Sequence, residues 1–378
     1  MFTLRDASRV LYRRALRPLL FRFDPERVHD VFIAAGAELG RHAATRHVLS
    51  GVFDYHGPDV SRVVDGLRYR TPLLLAAGFD YNGQLTQVLP SLGLGGAELG
   101  SVTARPCGGN PRPRLTRLPR SRSILVNKGL RNQGVDAVIT RLSRLTPGRP
   151  DFVTGVSIAR TNDARAASLE AGIADYLYSF VRLSDANVGD YYTLNISCPN
   201  AFGGERFTEP RTLEPLLAAV AGARSAKPVY VKLPINLPWD QLSALLAVID
   251  RHRLDGVVIG NLNKQYDALL HREEAPLGYC GGLSGQPCAE LSTRLIARTR
   301  QAYGSRFTIL GTGGIMSPAG ALDKLAAGAD LLQLITGLIF EGPSLPSCIC
   351  DAIARQRELV GREPGRAPAG RLPVPAAS

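Results

Sequence analysis

Eight short apolar runs, with helical stretches between most of them, constrain this chain more than any other feature. They are Leu73–Ala77, Gly96–Ser101, Phe152–Ser157, Tyr191–Asn195, Val229–Leu233, Asp255–Ile259, Phe307–Leu310 and Leu331–Ile335. Stretches of helical period fall at about 168–184, 211–224, 239–252, 289–303 and 317–327. Continuous apolar strands need both faces covered, and alternation with helices is how a parallel sheet is covered. Eight such units predict an α/β protein built on a closed (β/α)8 TIM barrel. A chain of 378 residues is long enough for that barrel and an appendage.

The stretch from Phe307 to Pro343 shows two of these units in detail. The apolar run is followed by Gly311-Thr312-Gly313-Gly314, then by a helix from Ser317-Pro318 to Ala327 that Gly328 stops. The next run ends in Thr336-Gly337. Glycines let backbone N–H groups approach an anion closely. Such barrels commonly hold a phosphate after strands seven and eight. Two adjacent turns of one kind predict a phosphate site rather than two ordinary strand–helix turns.

Active sites of these barrels lie at the C-terminal strand ends. Reading the residue past each strand yields Ala76-Ala77-Gly78-Phe79-Asp80, then Ser101, Ser157, Asn195 with Cys198-Pro199-Asn200, Lys232, and Gly260-Asn261. Gly281-Gly282-Leu283-Ser284-Gly285 reads as a flexible backbone segment close to the site. A phosphate pocket on one side and a polar ring around a flat centre fit flavin mononucleotide. The cofactor-binding set is then Ala76, Ala77, Gly78, Ser101, Ser157, Asn195, Lys232, Gly260, Gly281, Gly282, Gly313, Gly314, Thr336 and Gly337. Lys232 is one of only five lysines among 45 cationic residues. It would neutralise the N1–O2 edge of a reduced flavin. Each residue alone also has a bland reading: a buried amide for Asn195, a snorkelling stem for Lys232, a small core hydrophobe for Cys198.

The rest of the chain bounds the setting. Arg5, Arg9, Arg13 and Arg17 form a row on a helix over 1–23, with Leu4, Leu11, Ala15 and Leu19 on another face. Asp24-Pro25 starts a second helix with apolar residues Val28, Phe32, Ala35 and Leu39. This basic hairpin suits a bilayer interface; the other reading is simple packing against the barrel. Residues 41–70 read as a linker with a β-hairpin, 105–150 as an excursion over the barrel top, and the tail from Gly361 as disordered. The expected division is 1–50 helical hairpin, 51–345 barrel, and 346–378 helix and tail. The six cysteines match no zinc or iron–sulfur spacing, so no metal is expected and reduced thiols fit best. No apolar run spans a bilayer and no signal peptide is visible, which predicts a cytoplasmic protein, peripheral on the cytoplasmic side of the membrane. The net charge of +12 lacks the aromatic interleaving of a nucleic-acid binder, so no nucleic acid is expected.

With these residues in view the sequence resembles the dihydroorotate dehydrogenases, specifically the membrane-associated, quinone-linked class, over roughly residues 15–345. The matching stretches are DPERVH (Asp24–His29), AAGFD (Ala76–Asp80), GSVTARP (Gly100–Pro106), NISCPN (Asn195–Asn200), VKLP (Val231–Pro234), GGLSG (Gly281–Gly285), GTGGI (Gly311–Ile315) and ITGLIFEGP (Ile335–Pro343). The resemblance implies FMN, the barrel, and an N-terminal two-helix domain that guides ubiquinone or menaquinone to the flavin; it favours the membrane reading of the hairpin. It makes Cys198 the base that takes the C5 proton of the dihydropyrimidine while hydride leaves C6 for flavin N5. The quinone-linked class normally has Ser there, and the soluble class Cys. It implies substrate contacts at Asn195, Asn200 and Asn261, and at the positions that Tyr81 and Asn127 occupy.

Several of these depart from the family pattern. Tyr81 replaces a lysine near orotate. Val126 falls where an orotate-binding Asn is expected, although a shift of one residue restores Asn127. Leu262 replaces a hydroxyl residue, and Ser157 an Asn. A site that loses hydrogen-bond partners forfeits on the order of 1–3 kcal/mol per unpaired group. The sequence therefore predicts an FMN oxidoreductase of this family retuned to another small substrate with an activated C–C bond, with Lys128 and Arg131 as a relocated carboxylate clamp. The alternatives are true oxidation of dihydroorotate to orotate in pyrimidine biosynthesis, and a flavin-binding membrane partner without turnover.

Overall fold

The eight apolar runs become eight parallel strands: β1 (Leu73–Leu75), β2 (Gly96–Val102), β3 (Val153–Ile158), β4 (Tyr191–Asn195), β5 (Val229–Leu233), β6 (Gly256–Ile259), β7 (Thr308–Thr312) and β8 (Leu331–Leu334). Each pairs with the next, and β8 pairs with β1, so the sheet closes as expected. The computed structural model describes residues 3–145, 151–202, 204, 207–223 and 225–361. The tail for which disorder is expected lies beyond these residues.

The period of two along a strand layers the barrel interior. The lower layer is apolar and fully buried: Leu74, Val153, Tyr191, Tyr230, Val258, Leu310 and Leu331, with Tyr69 of the hairpin beneath them. Two residues further on, the interior turns polar. Glu98, Thr193, Lys232, Thr312 and Gln333 occupy that level, with Glu98 Oε2 accepting from Thr193 Oγ1 at 2.8 Å and Gln333 Nε2 at 2.9 Å. The outward-facing residues of the strands bury against the helices in one large cluster, which also takes in Ile349, Cys350 and Ile353 of the last helix, Leu345–Gly361.

Two connections differ from a plain repeat. Between β1 and β2 there is only a 3-10 turn, Leu89–Leu92. The excursion between β2 and β3 forms strands Leu115–Leu118 and Ser123–Val126 and helix Val135–Ser143. The segment read as flexible backbone, Gly282–Gly285, is a third strand of that small sheet, antiparallel to Ser123–Val126.

The N-terminus is helical over Leu4–Leu20, with a π-turn at Tyr12–Leu16, and again over Pro25–Arg41. Part of the expected linker is also a helix, Ala43–Phe53, followed by the expected hairpin, Arg62–Val64 with Leu67–Tyr69. The sequence left the inner face of the first helix open, and the structure decides it. The arginine row faces the barrel, not solvent: Arg5 pairs with Asp351, Arg9 and Arg13 with Glu341, and Arg17 donates to the Phe340 carbonyl. Leu4, Leu11 and Leu19 point outward, more than half exposed. The second helix likewise turns Glu26, Ile33 and Gly40 inward and leaves Phe32 and Leu39 exposed.

Candidate active site

Two cavities meet at the C-terminal mouth of the barrel. The first, about 520 Å³, runs from Lys232 and Gln333 to the two glycine turns; Ala76, Ala77, Gly260, Gly313, Gly314, Thr336 and Gly337 line it. The second, about 960 Å³, holds Gly78, Tyr81, Ser101, Lys128, Arg131, Asn195, Cys198 and Asn200. It continues past Phe79, Leu115, Ile124 and Ile339 to His29 on the N-terminal helix. Ala77, Lys232, Asn261, Leu262, Ser284, Ile335 and Thr336 line both.

Strand geometry explains the convergence. β4 ends in Asn195, whose Nδ2 donates to Ser101 Oγ at 2.8 Å; that hydroxyl lies 2.7 Å from Ser157 Oγ. Asn261 Nδ2, just past β6, donates to Ser197 Oγ at 2.8 Å and approaches Asn195 Oδ1 at 3.3 Å. The Tyr176 hydroxyl donates to the Asn195 carbonyl at 2.7 Å. Asn200 Nδ2 donates to the Val126 carbonyl at 3.0 Å, tying the loop after β4 to the small sheet. The loop after β1 is organised by Asp80, which is wholly buried and accepts from the backbone N–H of Gln84 and Leu85. Burial nevertheless raises its pKa.

Lys232 is buried at the end of β5. Burial lowers its pKa, opposed by the carboxylate of Glu98 below it and, second, by Cys198 beside it. The ammonium is thus a desolvated cation in the wall common to both cavities. Lys128 is buried too, and its pKa is lowered by burial, opposed by Glu26. Its Nζ is 3.1 Å from Glu26 Oε1 and 5.3 Å from the centre of the Tyr81 ring. Tyr81 stacks in turn on His29, with ring centres 5.1 Å apart. Burial pushes the Tyr81 hydroxyl well above its ordinary range and His29 below its own.

Four expected site residues lie elsewhere. Asn127 faces away from the cavity, and its Oδ1 accepts from Asn110 Nδ2 at 2.7 Å; Val126 lines the wall instead, so the one-residue shift does not occur. Gly281 and Gly282 line neither cavity. A Cβ at Gly281 would meet the Val126 carbonyl oxygen at 2.5 Å, and one at Gly282 would meet Leu262 at 2.5 Å, so these glycines serve strand packing. Ser284 and Gly285 of the same strand are the cavity residues. Ser157 lines neither cavity and serves by holding Ser101. The sequence reading missed Glu98, Gln333 and Ser284. Glu98 carried a signal: a lone carboxylate inside an otherwise apolar strand must be partnered.

These residues fit a flavin mononucleotide. Gln333 lines the first cavity, and its Oε1, like Glu98 Oε1, is buried with no hydrogen-bond partner among the described residues, which suits a ligand that brings its own donors. At the far end, Gly314 sits at φ +73°, and a Cβ there would lie 2.4 Å from Ala289 Cα. Only glycine can make that turn, and it turns backbone towards the cavity.

Comparison with known proteins agrees with this arrangement. A family model described as dihydroorotate dehydrogenase matches residues 60–356. A protein named dihydroorotate dehydrogenase (quinone) from Synechococcus sp. (strain JA-3-3Ab) is 39% identical over 370 residues, covering 95% of this chain and 96% of that protein. One of the same name from Gloeobacter violaceus is 38% identical over 354 residues, covering 93% and 96%. The ligand-free structure of DHODH from Eimeria tenella superposes with a TM-score of 0.76 at 25% identity, covering 89% of this chain and 96% of the other. The comparisons lend no support to a divergent substrate.

Proposed function

We propose that this chain, which belongs to the dihydroorotate dehydrogenase family, oxidises dihydroorotate to orotate with bound FMN and passes the electrons to a quinone. Membership makes it an oxidoreductase acting on a CH–CH group, with a place in pyrimidine biosynthesis. The observation that carries the finer reading is the meeting of Cys198, Asn195, Asn200, Asn261 and Lys232 around one cavity that opens into a glycine-lined one.

FMN, when bound, supplies a two-electron hydride acceptor. Ala76, Ala77, Gly260, Gln333 and Lys232 would hold its ring system, and Gly313, Gly314, Thr336 and Gly337 its phosphate. Cys198 takes the substrate's C5 proton; a thiol serves this role more readily at neutral pH than a hydroxyl. Asn195, Asn200 and Asn261 present amides to the planar edge of the substrate. Lys232 sets a buried positive charge beside the reacting centre, where negative charge develops.

The departures from the family pattern find a compensation. The Lys128 ammonium, over the Tyr81 ring, supplies a cation on the wall where the family's lysine is missing. Lys128, with Arg131 beside it, is the partner for the substrate carboxylate. The second cavity's apolar end, at Leu115, Ile124 and Ile339 near the N-terminal helix, suits the approach of a quinone. The outward Leu4, Leu11 and Leu19 would carry that entrance to a membrane surface. No helix among the described residues is long and apolar enough to cross a membrane.

The test is anaerobic mixing of purified, flavin-loaded protein with dihydroorotate, then addition of a soluble quinone. Bleaching of the flavin absorbance followed by its return is expected. A flavin that dithionite bleaches but dihydroorotate does not would refute the substrate; bleaching without return by quinone would refute the acceptor.

A further inference from the structure

Lys324 is a buried cation that the reaction described above does not use. It sits on helix Pro318–Ala326, which follows the glycine turn after β7, and it is 1% exposed. Its ammonium donates to the Ala289 carbonyl at 3.2 Å, Ser292 Oγ at 2.9 Å and Thr293 Oγ1 at 3.0 Å. An ammonium has three donors and here meets three acceptors. All three are neutral. Among the described residues no carboxylate lies within ion-pair distance of it; Asp323 and Cys288 act on it only from further away. Burial draws its pKa down to about 8.

A buried charge without a counter-charge is costly, and proteins normally pair it or neutralise it. The surroundings of Lys324 indicate where its partner belongs. The three acceptors form the first turn of helix Ala289–Tyr303, and that turn is the floor of the glycine cup. Gly314 rests on Ala289, and Gly313 lies 3.0 Å, by its would-be Cβ, from Cys288 Cβ. Ser292 Oγ passes the contact on by donating to the Thr312 carbonyl, the residue before the two glycines. Lys324 therefore grips, from below, the backbone whose upper side lines the cavity.

We propose that Lys324 is a positioning residue for a phosphomonoester in the glycine cup: it fixes the Thr312–Gly314 turn through Ala289 and Ser292, and its uncompensated buried charge finds its counter-ion in the phosphate dianion. The inference rests on the FMN reading and deepens it, because it assigns the discrimination between a phosphorylated and an unphosphorylated flavin to a residue that touches neither.

The test uses the full chain stripped of flavin and titrated with FMN and, separately, riboflavin, following the quenching of flavin fluorescence. In the parent, FMN binds more tightly than riboflavin. Lys324→Met weakens FMN by about tenfold or more, the scale of a lost charge-assisted contact, and leaves riboflavin within about twofold. Lys324→Gln, which keeps polar contacts but no charge, is the variant to read should Lys324→Met fail to fold, and it shows the same collapse of preference. Equal weakening of both flavins, or an intact preference for FMN, overturns the role of Lys324. Failure of the parent itself to bind FMN overturns the cofactor reading instead, so the two results are distinct.

Discussion

Replacing Glu26 by Gln removes one charge from the most crowded ionic cluster among the described residues. The Glu26 carboxylate, 4% exposed, lies 3.1 Å from Lys128 Nζ, 3.3 Å from Arg114 Nε, 3.5 Å from Arg131 Nη1 and 3.1 Å from Arg112 Nε. Arg112 is 61% exposed and Arg131 35%, so water compensates them and their share is small, about 0–1 kcal/mol each. Lys128 and Arg114 are buried at 8% and 11%. Stranding a buried cation costs about 3–5 kcal/mol; the Gln carbonyl retains one acceptor, which brings the expected loss to about 2–4 kcal/mol. At roughly 2 °C per kcal/mol for a chain of this size, melting falls by about 4–8 °C. The loss depends on pH. The folded pKa of Lys128 is depressed, so between its folded and unfolded values the folded state binds fewer protons, and stability rises with pH there. The Glu26 charge is the main influence holding that pKa up. Without it the depression deepens, so the variant's deficit is largest near neutral pH and shrinks as the solution becomes alkaline. Differential scanning fluorimetry across pH measures both effects, and amide exchange over Pro25–Arg41 locates them. A melting point within about 1 °C of the parent, or a deficit that grows with pH, would refute the reasoning.

Cys198→Ala retains full FMN occupancy but slows flavin reduction by dihydroorotate about 100-fold or more, and Cys198→Ser recovers part of the rate; stopped-flow absorbance decides, and a parental rate in the alanine variant would place the base elsewhere. Gly314→Ala forces a Cβ to within 2.4 Å of Ala289 at a positive φ, so it emerges colourless or with a much weakened hold on FMN, read from the flavin-to-protein absorbance ratio. Leu11→Glu with Leu19→Glu reduces co-sedimentation with neutral vesicles, because these side chains face outward while the arginine row is engaged with the barrel; retention that instead follows anionic lipid content alone would contradict this.

The barrel was legible because its strands are buried on both faces and so are written as unbroken apolar runs, whose ends predict the site. The shared place of Lys232, Asn195, Cys198 and the glycine turns after strands singled them out together, while the role of Cys198 as base came only from the family resemblance. What was not legible depended on partners distant in sequence. The period of the first helix separates Arg5, Arg9, Arg13 and Arg17 from Leu4, Leu11 and Leu19, but it cannot say which face is inner. That was decided by Glu341 and Asp351, more than three hundred positions away. Asn127 and Val126 are neighbours of opposite facing, and only the pairing of Ser123–Val126 with Gly282–Gly285 settles which one looks into the cavity. The same pairing turned a glycine segment that reads as loop into a strand.

The short helix Thr336–Glu341 joins two ends of the molecule that the sequence keeps apart. Its first residues, Thr336 and Gly337, line the cavity of the glycine turns; its last, Glu341, is buried under Arg9, Arg13 and Arg122, while Ile339 and Phe340 carbonyls receive Tyr12 and Arg17. Six residues of helix span only about 9 Å, too short a rod to bend. A pull at one end is therefore delivered to the other. Reciprocity then follows from thermodynamics: whatever factor the docked N-terminus contributes to cofactor retention, the loaded cofactor returns to the docking of the N-terminus. With FMN bound as proposed, docking of the N-terminus and retention of the flavin would favour one another by the same factor.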